Sequence, residues 1–558
     1  MRSSVAHTST VVSSAVASRS QRQIRSREHL LAAAVLAGVA ASLPAQFQFA
    51  PVGGSLPPGV DSTRAVAFGD VDGDGDLDLV AGNGGGNGAQ NRLYRNDGTG
   101  AFTDETTTNM PVASEHTQSI AFGDVDGDGD VDIVCGNEYG QNRLYLNNGS
   151  GVFADATATQ LPTDSDRTTS VVLGDVDGDG DLDLVCGTRP KDYGPVQYTY
   201  YLEGQNRLYL NDGSGSFTDV TASQMPMDND RTQSAVFADV DGDGDLDVIS
   251  GNHPLDLGFT GGGPVCTYGG QNRLYLNNGT GVFQDVTATR MPSATNFTNC
   301  VALGDVDGDG DLDMVCANGS DWSCAGDQNR LYLNDGGGIF TDATMQLPVD
   351  SQWTKSVALG DIDDDGDIDL VIGNGYVPGG GQNFLYLNDG AGTFLDATAT
   401  RMSTDNTVTN AVTLGDVDAD GDLDIACGNG GWVSAENRID RNLQRQLDAP
   451  TSPQIGQPYS LDAYLRYGPT STIDLAAIYL STAPASIASP FGTLGIDPAL
   501  AVPFPTLVIP QPAGIGSVGF TIPNVPGLIG QVIYSQAMLV AYPNDLRLSN
   551  VVRDVIAP

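Results

Sequence analysis

A nonapeptide with aspartate at every odd position recurs seven times along this chain, and a chain that carries it must fold so that all those carboxylates find partners. The first copy supplies Asp70, Asp72, Asp74, Asp76 and Asp78, and the second Asp124, Asp126, Asp128, Asp130 and Asp132. Asp175, Asp177, Asp179, Asp181 and Asp183 form the third, and Asp239, Asp241, Asp243, Asp245 and Asp247 the fourth. The fifth holds Asp305, Asp307, Asp309, Asp311 and Asp313, and the sixth Asp361, Asp363, Asp365, Asp367 and Asp369. Asp416, Asp418, Asp420, Asp422 and Asp424 complete the set. Five carboxylates in nine residues repel one another unless a cation sits among them. Hard oxygen ligands with glycine at position 6, such as Gly75, fit Ca²⁺ rather than zinc or a nucleophilic site.

Position 12 decides what kind of loop this is. A helix-loop-helix calcium site needs a bidentate glutamate there, but the seven copies carry Ala81, Cys135, Cys186, Ser250, Cys316, Ile372 and Cys427. Each loop therefore ends at position 9, and the short apolar runs on either side (Ala65 to Gly69, Leu79 to Gly82) read as strands. The aspartate loop is the turn of a β-hairpin. A second signature follows in each unit, of the form Gln141-Asn142-Arg143-Leu144-Tyr145-Leu146-Asn147-Asn148-Gly149, where Asn-Gly or Asp-Gly between alternating apolar strands marks another hairpin. With a last strand at Gly-x-Phe-x-Asp-x-Thr, every unit has four strands, the content of a propeller blade.

The units recur at roughly 50 to 65 residues, within the range of propeller blades. The seventh unit loses its Asn-Gly turn and fourth strand after Asn442, while Phe49 stands before the first loop at nearly the spacing that Phe102, Phe153, Phe217 and Phe283 keep from theirs. An N-terminal strand completing the last blade would close seven blades into a ring without exposed edges.

These units resemble FG-GAP or VCBS-type repeats, the family that includes the integrin α-subunit propeller. The resemblance covers residues 46–447 and rests on the aspartate nonapeptides, the preceding Phe-Gly-Asp or Leu-Gly-Asp, and the Asn-Arg-Leu-Tyr-x-Asn-Asp/Asn-Gly unit. Gly82-Asn83 and Gly136-Asn137 replace the Gly-Ala-Pro part of the integrin repeat, so the chain is closer to secreted bacterial-type repeat proteins. The resemblance implies that positions 1, 3, 5 and 9 give side-chain oxygens to Ca²⁺ and position 7 its backbone carbonyl, at about seven sites. Asp364 and Ala419 replace the position-4 glycine and are expected to strain their loops slightly.

The N-terminus has an arginine-rich stretch followed by an apolar run from Leu30 to Ala41, too short to span a bilayer and placed like the core of a signal peptide. Residues 1–45 are expected to be that peptide, and the remainder secreted or held at the cell surface. Residues 448–558 change composition, with more proline, no aspartate loops and no cysteine, and read as a small β-sandwich-like domain. Cys135, Cys186, Cys316 and Cys427 share one repeat position and read as small buried hydrophobes. Cys266, Cys300 and Cys324 break the pattern, and one disulfide among them is open.

A net charge of −45 disfavours nucleic acids and anionic membranes as partners. The connections on the side opposite the aspartate loops vary most, and those of the third to fifth blades carry Tyr193, Tyr198, Tyr200, Tyr201, Phe259, Tyr268 and Trp322. An aromatic surface of this kind suits an extracellular protein or a glycan, bound by a monomeric, non-catalytic adhesion or interaction module. The plainer reading is that these loops only pack on one another. A polysaccharide lyase or hydrolase is the alternative function, but no His-Glu-x-x-His or Gly-x-Ser-x-Gly motif is present and the paired carboxylates already serve the metal loops.

Overall fold

The computed structural model describes residues 48–51, 56–59, 61–84, 88–190, 204–253, 270–319, 327–375, 381–430 and 435–443, and from 447 onward the strands and some flanking residues. Short apolar runs separated by obligate turns leave only local antiparallel pairing open to the chain, and seven four-stranded sheets result. The first blade is typical. Thr63–Gly69, Asp78–Asn83, Arg92–Asn96 and Phe102–Asp104 pair in sequence order, with the aspartate loop joining the first two. Its second strand is buried throughout, as a central strand requires.

First strands of neighbouring blades lie against each other around the axis. Ser119, Ser170, Ser234 and Ser356 each accept a hydrogen bond at Oγ from a first-strand N–H of the next blade, at 3.0–3.1 Å. The close approach also explains the glycine of the Gly-Asn pairs. A Cβ on Gly82 would come within 2.8 Å of Thr117 Cγ2 in the second blade, and one on Gly428 within 2.9 Å of Thr63 Cγ2 in the first.

The apolar core is divided among the seams. Seven clusters of buried residues each join two adjacent blades, such as Val71, Val80 and Leu93 with Ile133, Cys135, Tyr145 and Phe153. The cluster of Val417, Ala426 and Ile439 with Leu79, Ala81, Tyr94 and Phe102 joins the seventh blade to the first, so the ring is closed. Cys135, Cys186, Cys316 and Cys427 are buried free thiols in these seams. Cys300 is a free thiol too, whereas Cys266 and Cys324 lie outside the described residues.

Closure takes the expected form. Phe49–Pro51 is the outermost strand of the seventh blade, with Phe49 opposite Asn442, Ala50 opposite Arg441 and Pro51 opposite Asp440. Phe49 is 1 % exposed and fills, between blades six and seven, the place that Phe153 and its counterparts hold in the other seams. Gln48 adds polar ties through its Nε2, which donates to Asn442 Oδ1 and Ile362 O at 3.0 and 3.2 Å.

Two details differ from the sequence reading. The fourth strands are only two or three residues long, and the Thr of Gly-x-Phe-x-Asp-x-Thr starts a single helical turn, as at Thr106–Asn109. Thr106 Oγ1 accepts the Leu93 N–H at 3.0 Å, tying that turn to the third strand. Four residues are too few for a helical period to show in sequence. Beyond the ring, the strands from Leu447 onward form a three-stranded sheet, a larger sheet centred on Ile473–Ser481 and Val532–Ala541, and a hairpin. Leu461 and Ala463 from one sheet and Ala476, Ile478, Ala537 and Leu539 from the other share one buried cluster.

The burial of Phe49 makes closure testable. Phe49→Ala should lower the free energy of unfolding by about 3 kcal/mol, measured by urea titration of the full chain. A loss below about 1 kcal/mol would mean that the seventh blade holds without this strand.

Candidate metal centres

Each aspartate loop is first organised by its own backbone. Asp70 Oδ1 accepts the N–H of Gly73 at 2.8 Å and of Asp74 at 3.1 Å, and its Oδ2 accepts that of Gly75 at 3.0 Å. Gly73 has φ +72° and Gly75 +94°, so the turn needs left-handed backbone twice. Asp364 and Ala419 hold the first of these positions at φ 62° and 58°, which non-glycine residues adopt at a small energetic cost. The position-7 N–H closes the turn on the position-5 carboxylate, as from Asp76 to Asp74 Oδ1 at 3.0 Å.

The position-9 aspartate lies deepest. Asp78 is buried, and its two oxygens accept the N–H of Val71 at 3.2 Å and of Asn96 at 2.8 Å. Asp132, Asp183, Asp247, Asp313, Asp369 and Asp424 repeat both bonds. Burial pushes the Asp78, Asp132, Asp183 and Asp313 carboxyls up to about 6, and those of Asp247 and Asp369 to about 7, against the pull of these donors.

Positions 1, 3 and 9 converge. Asp70, Asp72 and Asp78 each present a carboxylate oxygen within 4.8 Å of the others, as do Asp124, Asp126 and Asp132, and Asp175, Asp177 and Asp183. The same holds for Asp239, Asp241 and Asp247 and for Asp305, Asp307 and Asp313. Two further clusters of at least three such groups occur among the described residues. At position 3, Oδ1 of Asp72, Asp126, Asp177, Asp241 and Asp307 is buried and accepts no hydrogen bond. A buried carboxylate oxygen left without a donor is costly, and a cation at the centre of the triad satisfies it. The donor set is all hard oxygen, which fits a metal of the calcium type. In the seventh loop Asp418, Asp420, Asp422 and Asp424 are all buried, and burial raises Asp416 to about 6.

The loop also builds the seam. Position 2 points into the apolar cluster shared with the next blade, as Val71, Val125, Val176, Val240, Val306, Ile362 and Val417 all do. Its carbonyl accepts a side-chain N–H from the asparagine that ends or directly follows the next blade's third strand. Asn147 Nδ2 donates to Val71 O at 2.7 Å, and Asn211, Asn277, Asn334, Asn388, Asn442 and Asn96 make the same bond around the ring. In the first six units the sequence assigns these asparagines only to the hairpin turn, which Asn147 Oδ1 does hold, through the N–H groups of Asn148 and Gly151. Recurrence at every unit was the available signal for the second role.

Tyr193, Tyr198, Tyr200, Tyr201, Phe259, Tyr268 and Trp322, expected to form a recognition surface, lie outside the described residues. On the face opposite the aspartate loops, the described residues include a cluster at blades two and three that the sequence does not single out. Tyr139 is 55 % exposed, its ring edge-on to His116 at 5.1 Å and beneath the Arg167 guanidinium at 5.0 Å. Arg167 and Arg189 both pair with Glu138. His116 and Arg167 precede or open first strands, while Tyr139 follows a second strand, so only the fold brings them together.

A family model described as an FG-GAP-like repeat matches residues 70–135, 124–186, 198–250, 265–316, 305–372 and 361–427. The chain belongs to the FG-GAP-like repeat family. Four of the matched spans, 70–135, 124–186, 305–372 and 361–427, run from the first aspartate of one loop to position 12 of the next. Among relatives, the chain is similar to cartilage acidic protein 1 of Mus musculus, 29 % identical over 196 residues, which is 34 % of this chain and 28 % of the relative. The Homo sapiens protein of that name is 28 % identical over 34 % of this chain and 27 % of its own, and the Xenopus tropicalis one 29 % over 38 % and 32 %. The chain thus spans less than a third of the length of the curated relatives it matches. Among the described residues no helix is long and apolar enough to cross a membrane.

The raised position-9 carboxyls give a pH signature for the metal-free protein. Their folded pKa exceeds the unfolded value, so the stability they add is full below about pH 4 and is lost as pH rises through 6 to 7. Chelator-treated protein should therefore melt higher at pH 5 than at pH 7.5 by calorimetry. The reverse order would mean that these groups are already ionised in the metal-free fold.

Proposed function

We propose that this chain is an exported, calcium-loaded β-propeller that binds an extracellular protein or glycan and catalyses no reaction. The observation that carries the reading is the division of labour between the two faces of the ring. The aspartate-loop face repeats nearly the same turn seven times, with buried position-3 oxygens left for a cation, while the opposite face varies from blade to blade. Uniform loops suit a scaffold and variable ones suit recognition. On that variable face the Tyr139, His116 and Arg167 cluster supplies an exposed aromatic ring with a guanidinium beside it. The aromatic connections of blades three to five extend the same surface in this reading.

Export fits the metal, because extracellular calcium keeps weak oxygen sites filled. Residues 1–45 serve as the signal peptide, 46–447 as the propeller, and 448–558 as a separate sandwich-like domain of a monomer. The name of the cartilage relatives, an acidic protein of cartilage, is compatible with an extracellular setting.

A non-catalytic role is supported by what the perturbed carboxyls outside the loops do. Burial raises Asp164 and Asp228 to about 6 and also raises Asp350. Each accepts a tyrosine O–H from the next blade, Tyr209 to Asp164 at 3.2 Å, Tyr386 to Asp350 at 2.9 Å, and Tyr275 to Asp228. These are ties between blades rather than acid and base placed for a substrate.

Calcium loading predicts a steep response to chelation. The full chain in excess EDTA should melt at least 10 °C lower than in millimolar Ca²⁺, in line with the linkage of several tight sites to folding, and recover when the ion is restored. Equal melting temperatures would exclude a folding role for the metal.

Recognition is tested separately, by a glycan array and a cleavage screen on acidic polysaccharides. Replacing Tyr198, Tyr200, Tyr201 and Trp322 with alanine should leave melting nearly unchanged and weaken binding to an array hit by about 1 to 3 kcal/mol. Undiminished binding would misplace the surface, and polysaccharide cleavage by the unaltered protein would overturn the non-catalytic class.

A further inference from the structure

The seven loops differ in what stands beside the position-3 aspartate. In four blades it is a guanidinium. Arg95 pairs with Asp72 in the first blade, Arg290 lies 3.4 Å from Asp241 in the fourth, Arg401 3.1 Å from Asp363 in the sixth, and Arg441 3.3 Å from Asp418 in the seventh. These arginines come from two unrelated positions. Arg95 and Arg441 sit near the end of a third strand, whereas Arg290 and Arg401 end the helical turn after a fourth strand. Both routes deliver the charge to one place between blades. Arg95 donates to Ser150 O at 3.1 Å, Arg441 to Thr99 O at 2.7 Å, and Arg290 to Gly337 O, all equivalent carbonyls in the next blade's turn. Where that turn is missing, Arg401 donates to Gln48 Oε1 of the closing strand at 2.8 Å.

In blades two, three and five a neutral glutamine fills the same place. Gln160 Nε2 donates to Ser214 O at 3.0 Å, the matching carbonyl of blade three. Gln224 and Gln346 stand beside Gly281 and Gly392, the corresponding turn glycines, next to Asp177 and Asp307. The arginines approach Oδ2 of the aspartate and leave Oδ1 buried without a hydrogen bond, as Asp72 and Asp241 show. A guanidinium bridged to a metal through one carboxylate acts twice in the same direction. It relieves carboxylate repulsion in the empty loop, and it repels the divalent ion in the filled one. Even at the dielectric of water, a unit charge one carboxylate away from a divalent ion weakens binding about tenfold.

We propose that the seven loops form two calcium classes, tight in blades two, three and five and weak in blades one, four, six and seven, with Arg290, Arg401, Arg441 and Arg95 setting the difference. The inference rests on the calcium reading above. Arg95 also lies 3.6 Å from Glu105, so the first blade is the least weakened of the four. Blades six, seven and one are contiguous and contain the closing strand. The arginines therefore hold the seam region at calcium levels that leave its loops empty.

The test is calorimetric titration of Ca²⁺ into the chelator-treated full chain in 0.15 M salt, on the order of physiological screening. Three tight sites followed by four at least about tenfold weaker are expected. Arg290→Gln should move one site into the tight class, giving four and three, and Gln224→Arg should move one out, giving two and five. Both variants are checked for folding by circular dichroism in excess calcium, and either one alone tests the partition. Seven equivalent sites, or a partition unchanged in a folded variant, would overturn the two-class inference while leaving calcium binding intact. Absence of any calcium heat would instead sink the calcium reading itself.

Discussion

The side-chain amide of one asparagine per blade carries the architecture. Asn147 reaches back to Val71 O in the preceding loop, holds its own hairpin turn through Oδ1, and gives its backbone N–H to Asp132 in its own loop. One residue thus touches two aspartate loops and a seam, and six equivalents repeat the reach to the preceding loop around the ring. Because the amide is buried, leaving its partners unmatched is expensive, of the order of 1 to 3 kcal/mol for each group. The loop cannot deform without disturbing the position-2 residue in the apolar seam, and so loop, turn and core form one coupled unit.

Such coupling explains why an acidic surface loop is tied to the stability of a whole domain. Blades bury little within themselves, since each is a single sheet; the apolar clusters lie between blades. What stabilises the fold is therefore the fit of neighbouring sheets, and the aspartate loops set one edge of that fit. The seventh blade obeys the same rule with different parts, Phe49 and Gln48 standing in for the turn and strand that the last repeat lacks.

Much of this was legible in sequence because it repeats. The nonapeptide fixed the hairpin turns, the failure of position 12 to supply a ligand excluded helices around the loops, and the spacing of Phe49 revealed the closing strand. Features built by convergence were not legible. Arg95 and Arg290 occupy different repeat positions yet reach the same place, and His116, Tyr139 and Arg167 meet only because adjacent blades bring them together. The single helical turns were hidden by their length. The doubled role of Asn147 was hidden by its place in a turn motif that needed no further explanation.

The closing strand has a kinetic consequence. Six blades are each made of strands adjacent in sequence, and each can form as soon as its own residues are available. The seventh needs partners 394 residues apart, Gln48 and Asn442. Loop closure over that span is slow relative to the local hairpins, so the ring assembles as an open arc of blades before its two ends meet. During that interval the third strand of the seventh blade, Arg438–Asn442, is an unpaired edge able to accept a strand from another molecule. Exchange of the Phe49 strand between two chains is then the natural misfolded product, and dilution during refolding is the condition that disfavours it.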